Sequence, residues 1–365
     1  MFDDIIKAAR EGGQAQQAAQ QAAEAAKDPS DNTSVRIAVI GVGGAGCNCS
    51  NRIFQSGIKS ARTIAINTDG KHLNMIGAHK KILLGKTVTR GLGAGGDVAV
   101  GRKCAEADYE MLKREIGENE LVFLVAGMGG GTGGGAAPVI AEIAKKQGAI
   151  VVAMVTYPFA LERVRIKKAQ KSLQELVSVC DTVVVIDNNR LASYAPNMQI
   201  TKAFELADSI TTRAVTGISD TIMFPSLINV DYADVRTIMS GGGLSMISLG
   251  EASGPDKVEN VVKDTLEHPL LDVNYEGAKG CLLHLEGGPD MTLGEAIKAG
   301  ELLTQSFDDA SSVKMGARIN PSLANGLRIT AIITGVKSPY ILGKDPSEEP
   351  RPGGNTRDGD ALDFL

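Results

Sequence analysis

Two kinds of residue in this 365-residue chain have the makings of chemistry: runs of bare backbone amide and a pair of spaced carboxylates. The densest run is Gly129-Gly130-Gly131-Thr132-Gly133-Gly134-Gly135, inside a stretch, residues 126–138, that holds seven glycines. Glycine lacks a Cβ, so the backbone can close on a ligand and take positive φ. Leu121-Val122-Phe123-Leu124-Val125 before it reads as a buried strand, and Val139 to Lys146 after it spaces its apolar residues as a helix does. Backbone N–H groups at a helix N-terminus cradle phosphate, and the helix dipole favours the negative charge. A flexible linker would not be framed in this way, so the stretch reads as a phosphate cradle. Two further glycine turns come earlier, at residues 41–48 after the strand Val35–Ile40 and at residues 91–97 before a helical segment spanning 98–116. The carboxylates are Asp231 and Asp234, beyond a break marked by Pro225. They suit an N-cap and a first-turn acid, or equally a pair that orients water or a cation; spacing alone does not choose.

The elements that position these groups follow a β-α order. Strands are expected at 35–40, 63–69, 121–125, 150–156 and 182–186, with helices between them at 51–56, 98–116, 139–146 and 163–179. Such alternation gives a parallel sheet with helices on both faces, in a Rossmann-like α/β domain. Ligands of such sheets gather outside the carboxyl ends of the strands, where all three glycine turns fall. Three anion-friendly loops on one rim suit a polyphosphate. No G-x-x-x-x-G-K-[ST] occurs, which excludes a P-loop enzyme. The first turn alone would suggest a dinucleotide site, but the acidic residue expected about 20 residues further on is only loosely met by Asp69. Residues 199–222 carry one apolar stripe (Ile200, Phe204, Ala207, Ile210, Ala214, Ile218, Ile222) on a helix of about 35 Å, long enough to bridge two domains. Phe204 and Asp208 share a face of it, and the pattern leaves Phe204 equally readable as core. From Met239 the chain turns to a smaller α+β domain, with strands at 245–249, 280–285, 312–317 and 327–334 and helices near 257–267 and 293–305.

Composition narrows the class. Hydrophobic content of 43% and charged content of 22% are those of an ordinary soluble protein, and a net charge of −5 argues against a nucleic-acid footprint. Five cysteines without a C-x-x-C pair read as reduced thiols of a cytoplasmic protein. Four scattered histidines read as structural, and no run approaches the roughly 20 apolar residues of a membrane span. Residues 1–34, rich in Ala and Gln, are expected to be a flexible extension, with Phe2, Ile5 and Ile6 a candidate anchor. Residues 338–365 read as a disordered acidic tail ending in a docking peptide, residues 360–365.

Taken together, Gly129 to Gly135, Gly43-Gly44-Ala45-Gly46-Cys47-Asn48, Asn67-Thr68-Asp69, Thr89 to Gly96 and Asn229-Val230-Asp231-Tyr232-Ala233-Asp234 resemble the loops of the FtsZ family, in the tubulin/FtsZ superfamily, in the same order. The resemblance covers roughly residues 35–337. It implies a GTP-binding domain over 35–198, a central helix over 199–224 and a C-terminal domain over 225–337, with an activating loop at 225–236. It further implies a GTPase that takes GTP or GDP with Mg²⁺ and polymerises head to tail into the filaments of a cytoplasmic, mid-cell division ring. The metal would be held mainly by the GTP phosphates.

Carried onto this sequence, Gly43, Gly44, Ala45 and Gly46 would line one phosphate loop, with Asn48 near the nucleotide. Asn67, Thr68 and Asp69 would form a second loop, and Gly93, Ala94, Gly95 and Gly96 a third near the γ-phosphate. Gly129, Gly130, Gly131, Thr132, Gly133 and Gly134 would hold the α- and β-phosphates. Pro158, Glu162 and Arg165 would lie on the ribose and phosphates, Asn188 and Asp208 would bond guanine, and Phe204 would stack on it. Asn229, Asp231 and Asp234 would act in trans on the adjacent subunit's GTP. Three features depart from the family pattern: Gly134 stands where a threonine is usual, Glu162-Arg163-Val164-Arg165 is one residue short, and Asp187-Asn188-Asn189-Arg190-Leu191 replaces a Pro-Asn-Asp/Glu-Lys-Leu run. Either Arg163 or Arg165 could therefore reach the ligand. With the N-terminal extension, these features look like an archaeal second paralogue. Membrane-tethering division proteins would dock on residues 360–365. The competing readings are a nucleotide-binding, non-hydrolysing filament regulator and a Rossmann oxidoreductase.

Overall fold

The computed structural model describes residues 35–194, 196–224, 226–228, 230–239, 245–267, 275 and 278–336. The expectations for residues 1–34, for the tail 338–365 with its peptide 360–365, and for Asn229 lie outside them.

The first half of the chain runs β1 (Ile37–Val42), α1 (Gly43–Gln55), β2 (Arg62–Asn67), α2 (Gly70–Met75), β3 (Lys80–Leu83), α3 (Lys86–Thr89), α4 (Val98–Ala107), α5 (Tyr109–Ile116), β4 (Leu121–Gly127), α6 (Gly131–Lys146), β5 (Ile150–Tyr157), α7 (Arg163–Val179), β6 (Thr182–Asp187) and α8 (Asn188–Tyr194). The long α9 (Ile200–Met223) follows, then α10 (Tyr232–Met239), β7 (Ser245–Ser253), α11 (Lys257–Leu266), β8 (Gly280–Gly287), α12 (Leu293–Thr304), β9 (Ser312–Ile319) and β10 (Gly326–Thr334).

The first six strands form a parallel sheet in the order β3-β2-β1-β4-β5-β6. Its central strands are apolar at every position because each face meets a different core. Ile37 and Val39 of β1, Leu121, Phe123 and Val125 of β4, and Ile150, Val152 and Met154 of β5 enter one core. Their neighbours Ala38, Ile40, Val42, Val122, Leu124, Ala126, Val151, Ala153 and Val155 enter the other. This is the period-two alternation of a strand buried on both sides. The second sheet has the order β7-β10-β8-β9, antiparallel except between β8 and β9. Ala207, Ile210, Ala214, Val215 and Ile218 of α9 join the core that also holds residues of β4, β5, β7, β8 and β10. The expected stripe thus buries its middle and binds the two sheets into one apolar body, leaving Phe204 out.

Two further expectations change. The helix expected over 98–116 is two helices meeting at Asp108 (φ −102°, ψ 19°). The Asp108 carboxylate turns away to accept the Gly85 N–H at 2.6 Å, a long-range bond that outweighs local helix propensity. The helix expected from Val139 begins at Gly131, so Gly131, Thr132, Gly133, Gly134 and Gly135 are helical. Glycine is tolerated there because α4 lies against α6 backbone to backbone: a Cβ on Gly101 would sit 2.1 Å from the Gly131 carbonyl, and one on Gly135 would sit 2.1 Å from that of Val98.

Candidate functional site

β1 and β4 are neighbours in the sheet, but the chain leaves β1 toward β2 on one side and leaves β4 toward β5 on the other. At such a switch point the loops part and a crevice opens at the carboxyl ends of the strands. A cavity of about 530 Å³ lies there, lined at its floor by Val42, Gly127 and Thr156. Gly44, Ala45 and Asn48 of α1, Gly130, and Gly131, Thr132 and Gly133 at the N-terminus of α6 form one wall, and Gly96 closes it. Pro158, Phe159, Glu162 and Arg165 come from the β5–α7 connection, and Asn188, Phe204, Ala207 and Asp208 from α8 and α9.

Several expected residues stand behind this lining. Thr68 and Thr132 share a hydroxyl hydrogen bond of 2.7 Å, which ties the second loop to the start of α6. Asp69 caps α2, accepting the His72 N–H at 3.0 Å, so its carboxylate is engaged locally. Asn67 Oδ1 accepts the Thr68 N–H at 2.9 Å. Gly43 packs against Gly133, and Gly46 lies under the carbonyl of Val125. Gly129 takes φ +79° with the Arg165 carbonyl 2.6 Å from where a Cβ would be, so only glycine fits beneath α7. Gly134 faces Ser172 of α7 and not the cavity, so the hydroxyl missing at this position is not missing from the lining. Gly93 and Gly95 hold positive φ in the third loop, with Ala94 buried beneath it against Gly131.

The electrostatics are specific. Arg165, the alternative that lines the cavity, pairs with Glu162 one turn away, while Arg163 is absent from the lining. Burial pushes the Asp208 carboxyl up to about 6, with the guanidinium of Arg52 opposing that shift from 3.3 Å. Asn188 presents a buried Oδ1 with no hydrogen-bond partner, an unmet acceptor on the cavity wall. Phe204 is 43% exposed, with its ring edge-to-face to Phe159 at 6.2 Å. An aromatic left open beside an unmet acceptor and a buried carboxylate can take a planar heterocycle. The glycine wall offers backbone amides to anions.

Sequence reasoning missed Phe159, Arg52 and His72. With its proton on Nε2, His72 donates to Asn48 Oδ1 at 3.0 Å and accepts from Asn67 Nδ2 at 3.2 Å, holding two loops together. This role is structural, as expected for the histidines. No local signal marks these residues except that Phe159 follows the cavity residue Pro158.

Asp231 and Asp234 do not join this cavity. Asp231 Oδ1 accepts the Asp234 N–H at 2.8 Å at the start of α10, the N-cap reading of the pair. Asp234 pairs with Lys314 of β9 at 2.8 Å, and this lysine holds its carboxyl below the usual carboxylate range. The Tyr232 hydroxyl donates to the Glu120 carbonyl at 2.7 Å, beside the first residue of β4. The cavity is at the other end of that seven-residue strand, about 20 Å away at roughly 3.3 Å per residue.

Comparison with known proteins agrees with this geometry. A model of the tubulin/FtsZ family GTPase domain matches residues 36–196, and one of the FtsZ family C-terminal domain matches residues 243–337. The chain is 55% identical over 313 residues to cell division protein FtsZ 2 of Methanocaldococcus jannaschii, covering 85% of this chain and 82% of that protein. The chain belongs to the FtsZ family. It is 47% identical to cell division protein FtsZ 2 of Haloferax volcanii, over 95% of this chain and 86% of that one. It superposes on an empty FtsZ dimer from M. jannaschii with a TM-score of 0.79 at 41% identity, covering 88% and 96% of the two chains. The fold is therefore that of the tubulin/FtsZ superfamily, and the enzyme is a GTPase of the FtsZ family, related to archaeal second paralogues.

Proposed function

We propose that this FtsZ-family GTPase polymerises head to tail and that each GTP is hydrolysed between two subunits. The observation that carries the reading is that Tyr232, between Asp231 and Asp234, bonds the Glu120 carbonyl just before β4, while the cavity lies beyond the other end of that strand. A subunit stacked on the next in the same orientation brings the carboxylates of one to the cavity of the other. The contact is heterologous, so it propagates into an open filament.

Within the cavity, guanine lies against Phe204 and is read by Asn188 and Asp208. The ribose runs past Pro158 and Glu162. Gly44, Ala45 and the amides of Gly130 to Gly133 cradle the phosphates with Thr132 and Arg165, backed by Gly43, Gly46, Asn67, Thr68, Asp69, Gly129 and Gly134. The third loop, Gly93 to Gly96, closes over the terminal phosphate. Mg²⁺ would be held mainly by the GTP phosphates. When bound, it neutralises the charge that develops on the phosphates. The protein's own part is positioning: amides fix the triphosphate, while Asn229, Asp231 and Asp234 of the neighbour orient the attacking water. The filament serves cell division. Among the described residues no helix is long and apolar enough to cross a membrane. Membrane attachment is assigned to tethering proteins that take residues 360–365.

The test is GTP turnover measured against protein concentration, with sedimentation on the same samples. Turnover per subunit is expected to rise steeply above a critical concentration, together with pelleting. Constant specific activity at every concentration would overturn the shared site.

A further inference from the structure

The cavity is short of positive charge for the ligand it takes. Among the described residues of its lining, Arg165 is the one cation, and it is paired with Glu162. Asp208 adds a carboxylate whose partner, Arg52, lies outside the lining. Backbone amides contribute partial charges only. A bound triphosphate would therefore meet little formal positive charge from the walls.

One cation stands at the rim. Lys168 lies on α7, three residues beyond Arg165, and its Nζ donates to the carbonyl of Gly96 at 2.7 Å. Gly96 lines the cavity. The tip of its loop is open: Gly95 and Gly96 take positive φ, and a Cβ on either would meet nothing within 4 Å. The loop's base is tied by Gly70 N–H to the Gly91 carbonyl at 2.9 Å and Leu92 N–H to the Thr89 carbonyl at 3.0 Å, and its tip is flanked by Gly93 N–H to the Thr68 carbonyl at 3.1 Å and Asp97 N–H to the Ala94 carbonyl at 2.9 Å. Between the last two ties the loop tip is fastened to α7 by the Lys168 ammonium. This is the phosphate end, because the loop abuts Gly131 at the start of α6 while the base-side residues come from α8 and α9.

We infer that Lys168 is a specificity-determining residue of this site: it pins the third glycine loop at Gly96 and brings the positive charge that a terminal phosphate meets and a diphosphate does not reach. An ammonium on a flexible four-carbon stem can keep one N–H on the Gly96 carbonyl and turn another toward a phosphate oxygen. GTP would then be favoured over GDP by a side chain that needs no rearrangement of α6. The inference rests on the nucleotide reading of the cavity.

The test compares wild type with Lys168→Met and Lys168→Arg in the full-length protein, below its assembly concentration and with Mg²⁺ present. Dissociation constants are measured for fluorescent GDP and for a fluorescent β,γ-imido analogue of GTP. For Lys168→Met, GDP affinity is expected to stay within about twofold while the triphosphate analogue weakens roughly five- to thirtyfold, the scale of one charge-assisted hydrogen bond. Lys168→Arg is expected to recover most of that loss. Equal losses for both nucleotides would make Lys168 a structural tether only, and no loss for either would remove it from the site; both outcomes overturn the inference. So would Lys168→Arg failing as badly as Lys168→Met while its melting temperature matches wild type. Wild type binding neither nucleotide would sink the nucleotide reading itself, and this inference with it.

Discussion

Glycines of the phosphate wall and of the helix crossing behind it look alike in sequence, and two substitutions should separate them. A Cβ on Gly101 would lie 2.1 Å from the Gly131 carbonyl and 3.1 Å from the Thr132 Cα. Ordinary contact begins near 3.4 Å, so α4 and α6 must part by more than an ångström. Overpacking of that kind costs about 1–3 kcal/mol, offset in part by the roughly 0.5–1 kcal/mol that alanine gains over glycine in a helix. Gly101→Ala should therefore lose about 1–2 kcal/mol and melt a few degrees lower, at about 2–4 °C per kcal/mol. Gly44 is exposed, would have nothing within 4 Å of a Cβ added to it, and lies on the cavity wall. Gly44→Ala should melt like wild type without ligand. With nucleotide it should fail, because the methyl takes the place of a phosphate oxygen and removes a charged hydrogen bond worth about 1.5–3 kcal/mol, roughly ten- to a hundredfold in affinity. At a GDP concentration of about 100 Kd the wild type gains about 2.7 kcal/mol from binding, and Gly44→Ala would keep only about 0.4–1.4 kcal/mol. Thermal melting with and without GDP, at one protein concentration, reads both effects. A full GDP shift in Gly44→Ala, or an unchanged melting temperature in Gly101→Ala, would refute the reasoning.

Two other outcomes follow from charges. Because burial raises Asp208 to about 6, the folded protein holds that proton more tightly than the unfolded chain; its contribution to stability is present at low pH and lost as pH rises from about 4 through about 6. If Asp208 reads guanine as proposed, GDP binding needs the ionised carboxylate, so affinity should fall as pH drops below 6 in wild type and stay flat in Asp208→Asn, with parallel profiles between pH 5 and 7.5 counting against the assignment. Asp234→Ala should bind GTP normally and turn it over at least a hundredfold more slowly, the scale of a lost water-positioning group; mixing it with Gly44→Ala should restore partial turnover in a phosphate-release assay, whereas an inactive mixture would contradict catalysis in trans.

What was legible in the sequence follows from whether the cause is local. The central strands could be read because Leu121 to Val125 and Ile150 to Val155 are buried on both faces, which leaves an unbroken apolar run. β3 was missed, since its Lys80-Lys81-Ile82-Leu83 lies at the sheet edge and carries two lysines. The break at Asp108 was illegible because its cause, the Gly85 N–H, is 23 residues away. Glycine loops announce themselves through a residue type with few other uses, so the glycine wall of the cavity could be placed before the fold was known. Arg52, His72 and Phe159 act through what they face across the crevice. Lysine and arginine at such positions look like any solvated helix surface until α1 and α7 are set beside the loops.

On the proposed reading of a site shared between subunits, the Tyr232 contact before β4 and the glycine wall beyond it would also set a stoichiometry. A linear assembly has one fewer complete site than it has subunits, because one terminal cavity meets no carboxylates and one terminal set of carboxylates meets no cavity. Specific activity would thus measure mean filament length, and short assemblies would be poor enzymes even when every subunit is intact. The two ends differ in kind as well. At one, nucleotide would lie open to solvent and could exchange; at the other, it would be sealed beneath a neighbour, and the terminal subunit would offer only its carboxylates. A growing filament would therefore carry a direction and a clock, both set by which end of a single buried strand each group occupies.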